Sequence, residues 1–179
     1  MEESFREFHQ RTGATLVYVT HDQSEAMSLA DHIAVMQKGE LVQWATPETL
    51  YQTPRTEWIA GFIGQGSIVH LSGIKPGVNL SQHELIQLSQ TVNPSQTTPV
   101  LIRPEHICLH LPHSIQGDSQ CESRLHARVE RCVFRGERHE IQMRLPTGES
   151  LTGYHPQGVA EGSAIQLSLL QGWSLESVA

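Results

Sequence analysis

Apolar and polar positions change rhythm along this chain, and each rhythm predicts a different kind of element. Leu16, Val17, Tyr18 and Val19 form an apolar run without alternation, the pattern of a strand covered on both faces of a parallel sheet. A strand is therefore predicted over 15–20. Upstream, residues 2–12 fit a polar helix with Phe5 and Phe8 on one face and Gly13 as its C-cap. Downstream, Asp22 and Glu25 have the spacing of a reciprocal capping box, which opens a helix over 23–30. The apolar runs 33–36 and 41–44 flank Gln37-Lys38-Gly39-Glu40 and predict a hairpin. Thr46-Pro47 and Thr53-Pro54 each set a capping hydroxyl before a proline, the arrangement of a helix start. The second predicts a helix over 55–63 with Trp58, Ile59, Phe62 and Ile63 on one face.

Gly64-Gln65-Gly66 breaks that helix and divides the chain into predicted domains of residues 1–64 and 65–179. Beyond it, short runs at 85–88, 99–103, 107–111, 125–134, 139–145 and 164–170 are separated by Gly, Pro, Asn and Ser. In one of them Ile141, Met143 and Leu145 point one way and Gln142 and Arg144 the other. Closely spaced strands of this kind predict a small barrel or sandwich, with 93–98 and 114–123 as solvent-exposed loops.

Composition narrows the function classes. The 179 residues, 38% hydrophobic, suffice for one or two domains. A net charge of −7 without a cluster of lysine and arginine argues against a nucleic-acid partner. Cys108, Cys121 and Cys132 are odd in number and lack Cys-x-x-Cys pairing, so neither a disulfide framework nor a zinc ribbon is indicated. The acidic start, Met1-Glu2-Glu3-Ser4, has no apolar core of the kind a secretory signal carries. No apolar run approaches the roughly 20 residues that cross a bilayer, so membrane association is expected only through a partner.

The predicted strand 15–20 hands over to a helix at Thr20-His21-Asp22. In open α/β sheets ligands bind at that strand end, where helix N-termini favour anions such as phosphate. The segment resembles the switch-histidine region of ABC transporter ATPases, in particular importer subunits with a C-terminal regulatory domain. The likeness continues in order through Thr20-His21-Asp22-Gln23, Glu25-Ala26-Met27, Ala30-Asp31-His32-Ile33-Ala34-Val35-Met36, Lys38-Gly39 and Thr46-Pro47-Glu48 to Tyr51 and Pro54. Leu101-Ile102-Arg103-Pro104-Glu105 then resembles the hallmark of the appended TOBE domain.

The resemblance implies an α/β remnant of a P-loop ATPase domain over 1–64, followed by an all-β OB-like TOBE barrel over 65–179. It implies that His21 contacts the γ-phosphate and helps orient the attacking water, in keeping with phosphoryl transfer by positioning and electrostatics. Arg103, Pro104 and Glu105 are candidates for an inter-domain or inter-subunit contact, against a local turn with solvated side chains. ATP and Mg2+ are expected in the full-length parent, permease subunits and, indirectly, a periplasmic solute-binding protein as partners, and a homodimer as the assembly. The implied location is the cytoplasmic face of the plasma membrane.

The shape of 101–113 is closest to ferric-iron importers, with polyamine, sulfate, molybdate and sugar systems behind. A stand-alone TOBE-type binding module is the alternative. A phosphate loop needs Gly-x-x-x-x-Gly-Lys-[Ser/Thr], and no Gly-Lys occurs in the chain, nor a signature motif or an Asp-Glu strand before His21. Leu71-Ser72-Gly73 lacks the remainder of the signature. The chain reads as a carboxyl-terminal fragment without ATPase activity of its own, in which the role of His21 is latent and no cofactor is expected. Asp22 and Glu25 are read as helix-capping residues rather than an acid-base pair. His106, Cys108 and His110 alternate on a predicted strand, where ordinary polar-out alternation is favoured over a metal site.

Overall fold

The computed structural model describes residues 7, 9, 11–89, 97–111 and 124–176, in two compact units, Met1–Pro54 and Arg55–Ala179. Phe5, Phe8 and the predicted loops 114–123 and most of 93–98 lie outside the described residues.

The first unit is built from local signals. The described residues of 7–12 are helical, and Gly13 closes that turn at φ 61° with its N–H on the His9 carbonyl at 2.8 Å. Helix α1 (Gln23–Leu29) starts at Asp22, whose carboxylate accepts from the Ser24 and Glu25 amides at 2.8 and 3.1 Å. Strands β1 (Ile33–Gln37) and β2 (Glu40–Ala45) form the predicted hairpin around Lys38 and Gly39, at φ 50° and 84°. Positive φ at both positions is what a two-residue primed turn requires. Helix α2 (Pro47–Gln52) opens on Thr46 with proline in its first turn, as predicted, and Leu50 is fully buried.

The strand predicted over 15–20 is absent. Residues 13–20 have no regular secondary structure, and Leu16, Val17, Tyr18 and Val19 are 43%, 89%, 47% and 90% exposed. A buried parallel strand takes its hydrogen bonds and its cover from neighbouring strands. Among the described residues, the one sheet of this unit is the β1–β2 hairpin, which pairs with nothing else. The α/β sheet expected for residues 1–64 is accordingly not formed.

The second unit begins with helix α3 (Glu57–Phe62). Its cap is Thr56, not the predicted Thr53: the Thr56 hydroxyl accepts from the Ile59 amide at 3.3 Å. The Thr53 hydroxyl instead donates to the Thr49 carbonyl at 3.0 Å, closing α2. The predicted apolar face also divides. Ile59 and Ile63 are buried, whereas Trp58 and Phe62 stack on one another in the open at 5.3 Å between ring centroids, as side chains four apart on a helix do.

Two antiparallel sheets follow. One has the order β3 (Ser67–Ser72), β5 (Thr97–Ile102), β11 (Gln171–Ser174), β4 (Asn79–Ser81). The other has the order β6 (Ile107–His110), β10 (Ala164–Leu169), β7 (Leu125–Phe134), β8 (His139–Arg144), β9 (Ser150–His155). Its outer strands curl towards each other, so that a Cβ on Gly153 of β9 would meet Ile107 of β6 at 3.2 Å. The result is a nearly closed, OB-like barrel. The exposed edge of β9 is covered by β3, where Ser67 Oγ accepts from the Thr152 amide at 2.8 Å.

Ile141, Met143 and Leu145 point inward as the alternation predicts, joining Val129, Leu151, Ile165 and Leu167 in one core with Val100 and Ile102. The opposite face of β5 packs Leu101 against Ala60 of α3 and Leu175. The register shift between Val129 and Arg131 leaves Glu130 as the extra residue of a β-bulge, exposing Glu130 and Arg131 together before Cys132 turns inward. The run 85–88 is not a strand but part of helix α4 (Gln82–Ser89). Ser81 and Glu84 have the Ser-x-x-Glu spacing and make the Glu half of a capping box: Glu84 Oε2 accepts from the Ser81 amide at 2.9 Å and its hydroxyl at 2.7 Å.

Candidate functional site

His21 stands at the mouth of α1, exposed, and its ring makes no hydrogen bond among the described residues. A small polar scaffold fixes the backbone on either side. Thr20 Oγ1 accepts from the Asp22 amide at 3.0 Å and donates to Glu25 Oε2 at 2.9 Å, and Tyr18 Oη donates to the same oxygen at 2.8 Å. The capping box is therefore not reciprocal. Asp22 caps the helix as predicted, but Glu25 reaches Thr20 and Tyr18 instead of the Asp22 N–H. The hydrogen bond to Glu25 is the main reason that the Tyr18 hydroxyl ionises above its ordinary range. Each carboxylate is engaged in these local hydrogen bonds through one oxygen, and the described groups around His21 include no phosphate-cradling loop. The residues present do not compose a nucleotide site, and no catalytic step is assigned to them.

In the second unit Arg103 is 2% exposed. One of its terminal nitrogens donates to the Gln65 carbonyl at 2.8 Å and the Ala60 carbonyl at 3.4 Å. Helix C-termini leave carbonyls without intrahelical partners, and the guanidinium, a planar fork that is always charged, satisfies one at the end of α3. Pro104, buried, opens a 3-10 turn over Pro104–His106 that leads into β6, whereas Glu105 is exposed.

Sequence reasoning passed over the residues that complete this corner. Gln65 Nε2 donates to Glu140 Oε2 at 3.4 Å, its carbonyl oxygen accepts from Tyr154 Oη, and Arg135 pairs with Glu140 at 3.2 Å. Arg138 lies 3.6 Å above the Tyr154 ring. Gln65 was legible only as the polar residue between two glycines. Glu140 shares the outward side of its strand with Gln142 and Arg144, so the alternation did not single it out. The cluster holds the 64–66 segment against the barrel: its donors and acceptors are engaged with one another, and it contains no nucleophile.

Gly66 fits the same corner, since a Cβ there would lie 2.5 Å from Leu101 and 3.1 Å from Arg103. His106, Cys108 and His110 do not converge, and the described residues contain no group of three or more His, Cys, Asp or Glu able to hold a metal. Leu71-Ser72-Gly73 is the end of β3 and a turn at φ 79°.

The deciding feature is a buried Arg-Pro step that links a four-stranded sheet to a nearly closed five-stranded barrel. Residues 100–173 match the family model of the TOBE domain. The TOBE match runs from Val100 in β5 to Trp173 in β11, so it takes in the Arg103-Pro104-Glu105 element and the whole barrel.

Proposed function

We propose that this chain is the C-terminal portion of the ATP-binding subunit of an ABC importer, with residues 1–64 derived from its ATPase domain and a TOBE domain over 65–179. The observation that supports the reading most is the TOBE match at 100–173, lying downstream of the ordered series from Thr20 to Pro54. On this reading the parent couples ATP hydrolysis, with Mg2+, to solute uptake. The subunit docks on transmembrane permease subunits at the inner face of the plasma membrane, receives solute indirectly from a periplasmic binding protein, and pairs with a second copy partly through the barrel. No helix among the described residues is long and apolar enough to cross a membrane, so attachment runs through those partners. His21 is the γ-phosphate contact once the phosphate loop, signature motif and Asp-Glu strand are supplied by the rest of the ATPase domain. Ferric iron is the solute we favour, on the shape of residues 101–113.

The test is ATP turnover. The purified chain is expected to show none, and turnover is expected on adding a polypeptide that carries the missing ATPase elements, with His21→Ala abolishing it. Turnover by the chain alone overturns the reading. Uptake of radioactive iron by cells expressing the assembled importer tests the solute, and uptake of polyamine, sulfate, molybdate or sugar instead replaces it. A second reading, a non-enzymatic binding module, is favoured by the second unit having a complete core of its own. Failure of every added ATPase polypeptide to produce turnover, with retained small-ligand binding, supports that reading.

A further inference from the structure

The outer face of β6, β10 and β7 carries a transverse polar row. Gln166 of β10 is paired with His110 on one side and His126 on the other, so the three side chains stand in line across neighbouring strands. They border a groove of about 420 Å³ whose remaining walls are Leu111, Arg124, Ala164 and Ile165. Arg124 Nη1 donates to Gln166 Oε1 at 3.0 Å. That bond engages the carboxamide oxygen and leaves the NH2 group as a donor. The ring of His110 is held by Ser168 Oγ at 2.8 Å.

The account of donors and acceptors is one-sided. Gln166 keeps both amide protons, Arg124 most of its N–H groups, and His126 its ring N–H, none with a partner among the described residues. Among the described residues no carboxylate lines the groove. Glu130, further along β7, is tied to Arg144, while Arg128, two residues from His126 on the same outward face, adds a second exposed guanidinium. Such a concentration of donors and positive charge is unexpected in a chain of net charge −7. It suits an acceptor-rich anion, because charge-assisted bonds from arginine to phosphate are the strong ones. The groove is open to solvent and offers apolar surface at Leu111 and Ala164 beside the donors, so an organic portion can lie against it next to the anionic group.

We propose that this groove binds a small phosphorylated organic molecule, its phosphate held by Arg124, Gln166 and His126. The inference does not depend on the importer reading, since the groove lies wholly within the second unit. Calorimetric titration of the full chain with glycerol 3-phosphate, inorganic phosphate and glycerol tests it. Saturable binding of the ester is expected, weaker binding of inorganic phosphate and none of glycerol. Arg124→Ala and His126→Ala should each weaken the ester about tenfold, the effect of one lost charge-assisted contact. Gln166→Glu, which sets a carboxylate among the donors, should abolish binding while near-ultraviolet circular dichroism stays unchanged. Arg131→Ala, which removes the same charge past the bulge, should leave affinity as it is. Absence of ester binding, equal binding of glycerol, tighter binding of inorganic phosphate than of the ester, or equal losses in Arg124→Ala and Arg131→Ala would overturn the proposal.

Discussion

The two units of this chain are held by different physics. In Arg55–Ala179, Ile141, Met143, Leu151 and Leu167 are fully buried in a core that draws on both sheets. In Met1–Pro54, the buried apolar side chains among the described residues are Val35, Leu50 and Pro54, while Val17, Val19, Met36, Leu41 and Trp44 are more than half exposed. Caps and turns place α1, α2 and the hairpin, yet these devices contribute about 1 kcal/mol each, whereas burying one large side chain contributes about 1.5 to 3 kcal/mol. Local signals specify the first unit without enclosing it. The second unit is enclosed as well as specified.

The largest effect should come from the barrel core. Leu151→Ala is expected to cost about 2 to 5 kcal/mol in urea denaturation, and Val35→Ala in the first unit about 1 to 2 kcal/mol; equal losses would erase the contrast. Gly172→Ala tests how tightly the four-stranded sheet packs against α4, because a Cβ there would lie 2.9 Å from both Val100 and Ile102 and 3.0 Å from Leu85. Overpacking of this kind costs about 1 to 3 kcal/mol. A comparable loss, about 1 to 3 kcal/mol, is expected of Arg103→Met, which fills the same space but strips the Ala60 and Gln65 carbonyls of their donor. Arg103→Lys should recover part of it.

Effects in the first unit should stay local. Asp22→Ala removes the cap of α1, worth about 1 kcal/mol, and should speed hydrogen exchange at the Ser24 and Glu25 amides without moving the midpoint for barrel unfolding. The smallest effect is electrostatic. Tyr18 ionises above its ordinary range because its protonated hydroxyl donates to Glu25. A pKa raised in the folded state stabilises it below the unfolded tyrosine value, and that contribution is lost as pH rises through the folded value. In an ultraviolet phenolate titration, Glu25→Gln should bring Tyr18 back towards ordinary tyrosine.

How much was legible in the sequence follows the same division. The hairpin around Lys38-Gly39, the cap at Thr46-Pro47, the Gly13 closure and the inward set Ile141, Met143 and Leu145 were readable because each depends on a few adjacent residues. The strand at 15–20 was misread because its apolar run describes an environment, a covered sheet, that these residues cannot create alone. The run 85–88 is helical because Ser81 and Glu84, four residues and one residue upstream, open a helix that four apolar-rich positions alone do not reveal. At the candidate site, Arg103 and Pro104 were visible as a motif. Gln65, which accepts from Arg103, and Glu140 and Tyr154, which bond Gln65 in turn, come from distant parts of the chain and no local pattern joins them.

The contrast between an enclosed unit and an open one is tested most directly by hydrogen exchange of the intact chain, read peptide by peptide. The amides of Val17, Tyr18 and Val19 should exchange at close to unprotected rates, and those of Ile141, Met143 and Leu151 should open only with global unfolding. Strong protection at 17–19 in the chain alone would contradict the account, since it would mean that the apolar segment already has its partners.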